Sequence, residues 1–167
     1  YLQNNVTTTG TCFNITADNV TLNGQGFNVD GDDSADNSGV YVEGRLNVTI
    51  KNLNVTDFYY GIYLQTTNNS LISNSSFDSN GFFGVYFESS SGNNINNVTA
   101  NGNYDGIYVQ LSSDNTLNGV TANGNYNDGI YVQLSSDNTL NGVTANGNYN
   151  DGIYVQLSSD NTLNGVT

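Results

Sequence analysis

Residues 106–128 read GIYVQLSSDNTLNGVTANGNYND, and residues 129–151 repeat that string without a change. Residues 152–167 begin it a third time. Repetition at a fixed period constrains a fold strongly, because every copy must stack on its neighbour in the same way. Degenerate copies run upstream as GVYVE at Gly39, GIYLQ at Gly61 and GVYFE at Gly84. The glycines that open the copies, at 39, 61, 84, 106, 129 and 152, are separated by 22, 23, 22, 23 and 23 residues. Asn127 and Asn150 have no counterpart beside Tyr104 and Asp105, so the one-residue slack falls in a loop.

Each copy resolves into short strands. In Gly-Ile-Tyr-Val-Gln-Leu the residues alternate with the period of a strand, which sends Ile107, Val109 and Leu111 one way and Tyr108 and Gln110 the other. Thr116-Leu117 and Val120-Thr121-Ala122 follow, separated by Asn-Gly pairs that tolerate positive φ and turn the chain sharply. The period is too short for helical repeats, and no leucine-rich signature is present. One turn of parallel β-helix per copy remains.

Stacked columns support that reading. The first inward column is Val40, Ile62, Val85, Ile107, Ile130 and Ile153; the second is Val42, Leu64, Phe87, Val109, Val132 and Val155. A third holds Leu22, Ile50, Ile72, Ile95, Leu117, Leu140 and Leu163. All are apolar. The wider gap from Leu22 to Ile50 makes the acidic stretch Asp30–Asp36 a lateral loop. The fold expected is all-β, a parallel β-solenoid of about seven coils of 22–23 residues. Residues 1–21 form an incomplete first turn or N-terminal cap, and 22–167 form the array, which continues or docks beyond 167. Strand spacing gives a rod of roughly 30–35 Å.

The segments NVTIKNLNVT (47–56), GIYLQ (61–65), the NTLNGVTANGN turns and the opening GTCFNITADNVTLNG (10–24) resemble right-handed parallel β-helix repeats of the NosD-like, pectate-lyase-like superfamily. The likeness is greatest to archaeal cell-surface or secreted proteins that carry such arrays. It covers nearly the whole chain and specifies fold far better than function. It implies right-handed coils, which agrees with the handedness of parallel crossovers. For an enzyme it implies polysaccharide lyases or hydrolases, the lyases using a Lys or Arg base beside calcium-binding acids. Arg45 and Lys51 are the only cations available for that role.

Composition excludes several chemistries. There is no His, Pro, Met or Trp, and Cys12 is the single cysteine. Without His the chain lacks the usual general base, a Ser–His or Cys–His pair and imidazole metal ligands. Copper sites are disfavoured on the same ground. Two cations against fifteen acids, a net charge of −13, argue against nucleic acid as a partner. No apolar run is long enough for a transmembrane helix. The 32 Asn and 19 Gly supply turns, and the Val, Ile, Leu and Tyr supply strands.

Four sets of residues are candidates. Tyr41, Tyr63, Tyr86, Tyr108, Tyr131 and Tyr154 should stack outward beside Glu43, Gln65, Glu88, Gln110, Gln133 and Gln156. That strip stabilises the sheet by roughly 0.2–1 kcal/mol per pair, or serves as an interaction surface. Asp105, Asp128 and Asp151 form one acid column, and Asp114, Asp137 and Asp160 another. These are solvated edges or places where Ca²⁺ bridges adjacent turns; no other cofactor is expected. Sequons at Asn5, Asn14, Asn19, Asn47, Asn54, Asn68, Asn74 and Asn97 would carry N-glycans on an exported chain. Cys12 has no internal partner and reads as a buried or unreactive thiol, with an intermolecular bridge as the alternative.

Acids copied identically from coil to coil single out no active site. The expected function is therefore non-catalytic: a structural or adhesive module of an extracellular surface appendage, self-associating end to end or laterally. The alternative is a secreted polysaccharide-binding or polysaccharide-degrading β-helix.

Overall fold

A computed structural model describes residues 1–167. Every strand pair in it is parallel, and each strand bonds to the equivalent strand of the adjacent coil. Strands collect into two sheets, one of seven strands and one of ten. The seven-stranded sheet stacks Phe13–Ile15, Ser38–Glu43, Tyr60–Gln65, Phe83–Glu88, Asp105–Gln110, Ile130–Gln133 and Ile153–Gln156. The ten-stranded sheet carries the Thr-Leu-Asn strands, such as Thr116–Asn118 and Thr139–Asn141. This is an all-β solenoid of about seven turns, as the repeat requires. The first 21 residues contribute Val6–Thr7 to one sheet and Phe13–Ile15 to the other.

All three apolar columns are in register. Val40, Ile62, Val85, Ile107, Ile130 and Ile153 pair in succession, and so do Leu22, Ile50, Ile72, Ile95, Leu117, Leu140 and Leu163. From Val40 to Leu140 they fill one continuous core with Phe58 and Phe77, while Leu22 and Ile153 pack against it half-buried and Val155 and Leu163 are 39% and 40% exposed. The third strand of each copy is reduced in the later coils to single bridges, Thr99 to Thr121 and Thr121 to Thr144. In two middle coils it fuses with the preceding strand, as in Leu71–Ser76 and Asn94–Thr99, and the backbone bends at Asn74 and Asn97 with φ near 50°.

Buried polar ladders close the corners. Backbone N–H groups of Asn80, Asn103 and Asn125 donate to the side-chain oxygens of Asn103, Asn125 and Asn148 at 2.8–2.9 Å. Asn93, Asn115 and Asn138 donate likewise to Asn115, Asn138 and Asn161. A serine ladder runs through Ser90, Ser112, Ser135 and Ser158. Each ladder supplies an acceptor where the chain turns and has no sheet partner, which meets the requirement that buried N–H groups be paired.

One sequence expectation changes. Leu111, Leu134 and Leu157 do not continue the inward alternation: their φ values are 50–51° and they are 47–76% exposed. The strand ends at Gln110, Gln133 or Gln156 because a left-handed residue reverses the chain. Gly39, Gly61, Gly84 and Gly106, which open their copies, lie inside strands. A Cβ on Gly84 would lie 2.7 Å from Gly106 O and from Asn103 Nδ2, so that position demands glycine for close approach between coils.

Candidate functional site

The outer face of the seven-stranded sheet carries the tyrosine column. Its rings follow one another at 4.7–5.3 Å between centroids from Tyr41 to Tyr154, nearly parallel from Tyr63 onward. Each hydroxyl donates to the next coil: Tyr41 to Gln65 Oε1 and Tyr86 to Gln110 Oε1 at 2.7 Å, Tyr108 to Gln133 Oε1 at 2.6 Å, Tyr63 to Glu88, and Tyr131 to Gln156. Amides are linked as well, Gln65 to Glu88 and Gln133 to Gln156. Desolvation and the neighbouring Glu88 push the Tyr63 and Tyr86 phenols well above their ordinary value. Desolvation raises Tyr108 to about 12. The strip is thus a floor of neutral phenols and amides across six coils, with the Glu43 and Glu88 carboxyls as its only ionisable acceptors.

The surroundings of this floor are not visible in the tyrosine column itself. A block of further aromatics stands on its flank in the middle coils: Tyr59 on Phe82 at 5.0 Å, Phe82 on Tyr104 at 5.2 Å, and Phe83 edge-on to Tyr86 and Tyr108 at 5.0 Å. Farther along the same flank Tyr126 and Tyr149 are 75% and 84% exposed. Leu111, Leu134 and Leu157 line the opposite flank. The doubled aromatics Tyr59-Tyr60 and Phe82-Phe83 were the available sequence signal. They also make the middle coils unlike the later ones, which near-identity of the repeats had obscured.

At the N-terminal end of the strip Thr11, Asp36, Ser38, Tyr41, Tyr60 and Tyr63 enclose an open cavity of about 340 Å³. Asp36 comes from the loop 31–37; Asp30, which the sequence placed in that loop, ends the strand Asn28–Asp30, and the Gly31 and Asp33 N–H groups still bond to Thr56 O and Asp57 O of the next coil. Desolvation, with smaller contributions from Tyr59 and Asp36, raises Tyr60 to about 12.

The acid columns are separate features. Asp105 and Asp128 are buried, and each accepts the backbone N–H of the next coil's aspartate, at 2.8 and 3.0 Å. Burial raises both carboxyl pKa values. Asp151 is exposed. Asp114, Asp137 and Asp160 occupy exposed turns with φ of 56–59°. No three acidic or thiol side chains converge on a group able to hold a metal ion. Among the sequons, Asn5, Asn14, Asn19, Asn47, Asn74 and Asn97 are exposed, while Asn54 and Asn68 are half-buried. Cys12 is half-buried against the core, and burial raises its thiol pKa. No helix is long and apolar enough to cross a membrane.

Solved structures share this fold at low identity. The enzymatically active domain of tailspike protein 2 from bacteriophage CBA120 superposes with a TM-score of 0.69 at 21% identity, over 78% of this chain and 22% of its own. The mannuronan C-5 epimerase AlgE4 A-module of Azotobacter vinelandii gives 0.60 at 18%, over 96% of this chain and 57% of its own. The alginate lyase from Paenibacillus sp. str. FPU-7 gives 0.54 at 17%, over 90% and 76%. The chain therefore spans only about a fifth of the tailspike domain and little more than half of the epimerase module. No curated protein sequence matches.

These structures correct the expectation of a non-catalytic structural or adhesive module: those sharing the coil geometry are named as enzymes, two of them for mannuronan and alginate. The middle coils also differ from the later ones at Tyr59-Tyr60 and Phe82-Phe83, whatever the copied acids suggest. Residues 38–167 match the model of the right handed beta helix region, and the chain belongs to that family.

Proposed function

We propose that this chain is the polysaccharide-binding β-helix of a polysaccharide-processing protein that works outside the cytoplasm. One observation carries the reading: a continuous face of tied tyrosine hydroxyls and amides flanked by exposed Tyr104, Tyr126 and Tyr149 and by Leu111, Leu134 and Leu157. Sugar rings present hydroxyls at their edges and C–H groups on their faces. Amides match the first, and exposed aromatic rings match the second. The leucines add a second observation. A β-unbranched apolar residue held at positive φ and exposed to water is unfavourable on both counts, and such positions cluster at functional sites. Equivalent positions in earlier coils hold Gly44, Thr66 and Ser89, so the fold itself does not need leucine there.

For the processing reaction, Glu43 and Glu88 are the carboxylates of the acceptor column. They stand two strands apart, about 9–10 Å by strand spacing, near the separation used by inverting glycoside hydrolysis. Affinity electrophoresis in gels containing galactomannan, β-glucan or alginate tests binding, and release of reducing ends tests cleavage. Retarded migration in at least one polymer is expected. Unretarded migration in every polymer contradicts the reading.

A further inference from the structure

The sheet face has charges of one sign only. Asp36 lines the cavity at its N-terminal end. Glu43 and Glu88 stand in the acceptor column, where Gln65, Gln110, Gln133 and Gln156 occupy the other coils. Asp105 and Asp128 lie beneath the same face. The two cations are not on it. Lys51 sits on Thr49–Lys51 of the ten-stranded sheet, and Arg45 lies in the turn after Ser38–Glu43 with its Nε buried and unpartnered.

A polysaccharide running along the coils advances one strand in about 4.8 Å, comparable to one sugar unit of an extended chain. If every sugar carried a carboxylate, several would fall within a Debye length of Glu43, Glu88 and Asp36, about 8 Å at physiological salt. Nothing on the face would neutralise them. A neutral sugar meets no such penalty, and carboxylates and amides both accept its hydroxyls.

Resting on the polysaccharide reading, we infer that the face selects an uncharged polysaccharide, and that Glu43, Glu88 and Asp36 are specificity residues that repel polyuronates. The column itself supplies the test variant. Glu43→Gln with Glu88→Gln makes every acceptor from Tyr41 onward a glutamine, a state the later coils already adopt.

Equilibrium binding of the fluorescently labelled full chain to galactomannan, β-glucan and alginate decides the matter. The wild type is expected to bind a neutral polymer with an affinity that holds from about 0.02 to 0.3 M salt, and to bind alginate at least about tenfold more weakly. The double variant is expected to gain alginate affinity. Asp36→Asn, in an exposed loop, provides the same readout if the double variant loses its cooperative melt. Wild-type preference for alginate, or no gain by either variant, overturns this inference and leaves the polysaccharide reading standing. Failure to bind any of the three polymers overturns both.

Discussion

Asp105 and Asp128 occupy places where ionisation is costly. Both are buried, and burial outweighs the N–H donors that each carboxylate receives. Their folded pKa values lie above the unfolded value of about 3.9. The folded state therefore holds these protons more tightly, so stability rises as pH falls through the folded pKa values and levels off below the unfolded one. The melting temperature should rise as the pH is lowered from 7 toward the unfolded value of about 3.9, and Asp105→Asn with Asp128→Asn should flatten that rise. A melting temperature that falls on the same acidification contradicts this account. A buried asparagine behaves in the opposite way. Asn115 accepts the N–H of Asn93 at 2.8 Å and donates to Ser90 O at 3.0 Å. Asn115→Ala strands both groups and should cost about 1–3 kcal/mol in denaturant unfolding. That these asparagines recur at one place in each coil was legible in the repeat. That their oxygens would take backbone N–H groups was not, because a turn's unpaired donors appear only once its path is known.

Strands and turns were legible to the extent that alternation persists. Ile107 and Val109 lie inward as the pattern requires, and the paired registers follow the repeat. The pattern misplaces Leu111 because hydrophobicity says nothing about φ. A leucine that ends a strand in the left-handed region has the same composition as one that continues it. At the opening glycines a steric limit between coils decides the residue, which periodicity does not display. Gly84→Ala should cost about 1–3 kcal/mol through overpacking. Leu134→Gly should instead be neutral or stabilising by up to about 1 kcal/mol, since it removes left-handed strain from an exposed residue. It should nonetheless weaken polysaccharide binding. Denaturant melts and binding assays on these two variants separate what the coil requires from what its outer face requires.

At the scale of the whole molecule, near-identical coils imply that the rod is additive. Removing residues 106–128 joins Asp105 to Gly129, the same junction that Asp128 and Gly129 make in the intact chain. The shortened chain should remain folded, with its rod shorter by about 4.8 Å, and should lose roughly one coil's share of stability. Small-angle scattering and thermal unfolding report both. Repetition made the architecture readable and concealed the candidate site for one reason. Identical coils fix the register of every inward column, while the residues that distinguish the face lie in the irregular middle coils and on the flanks.

The most direct test of the central claim, that the flanked outer face of the seven-stranded sheet binds polysaccharide, is the affinity of the triple variant Tyr104→Ala, Tyr126→Ala, Tyr149→Ala. These side chains are 43%, 75% and 84% exposed, so the coil should keep its melting temperature. The account predicts that the variant melts like the wild type and loses most of its retardation in the retaining polysaccharide gel. Undiminished retardation with an unchanged melt would contradict it.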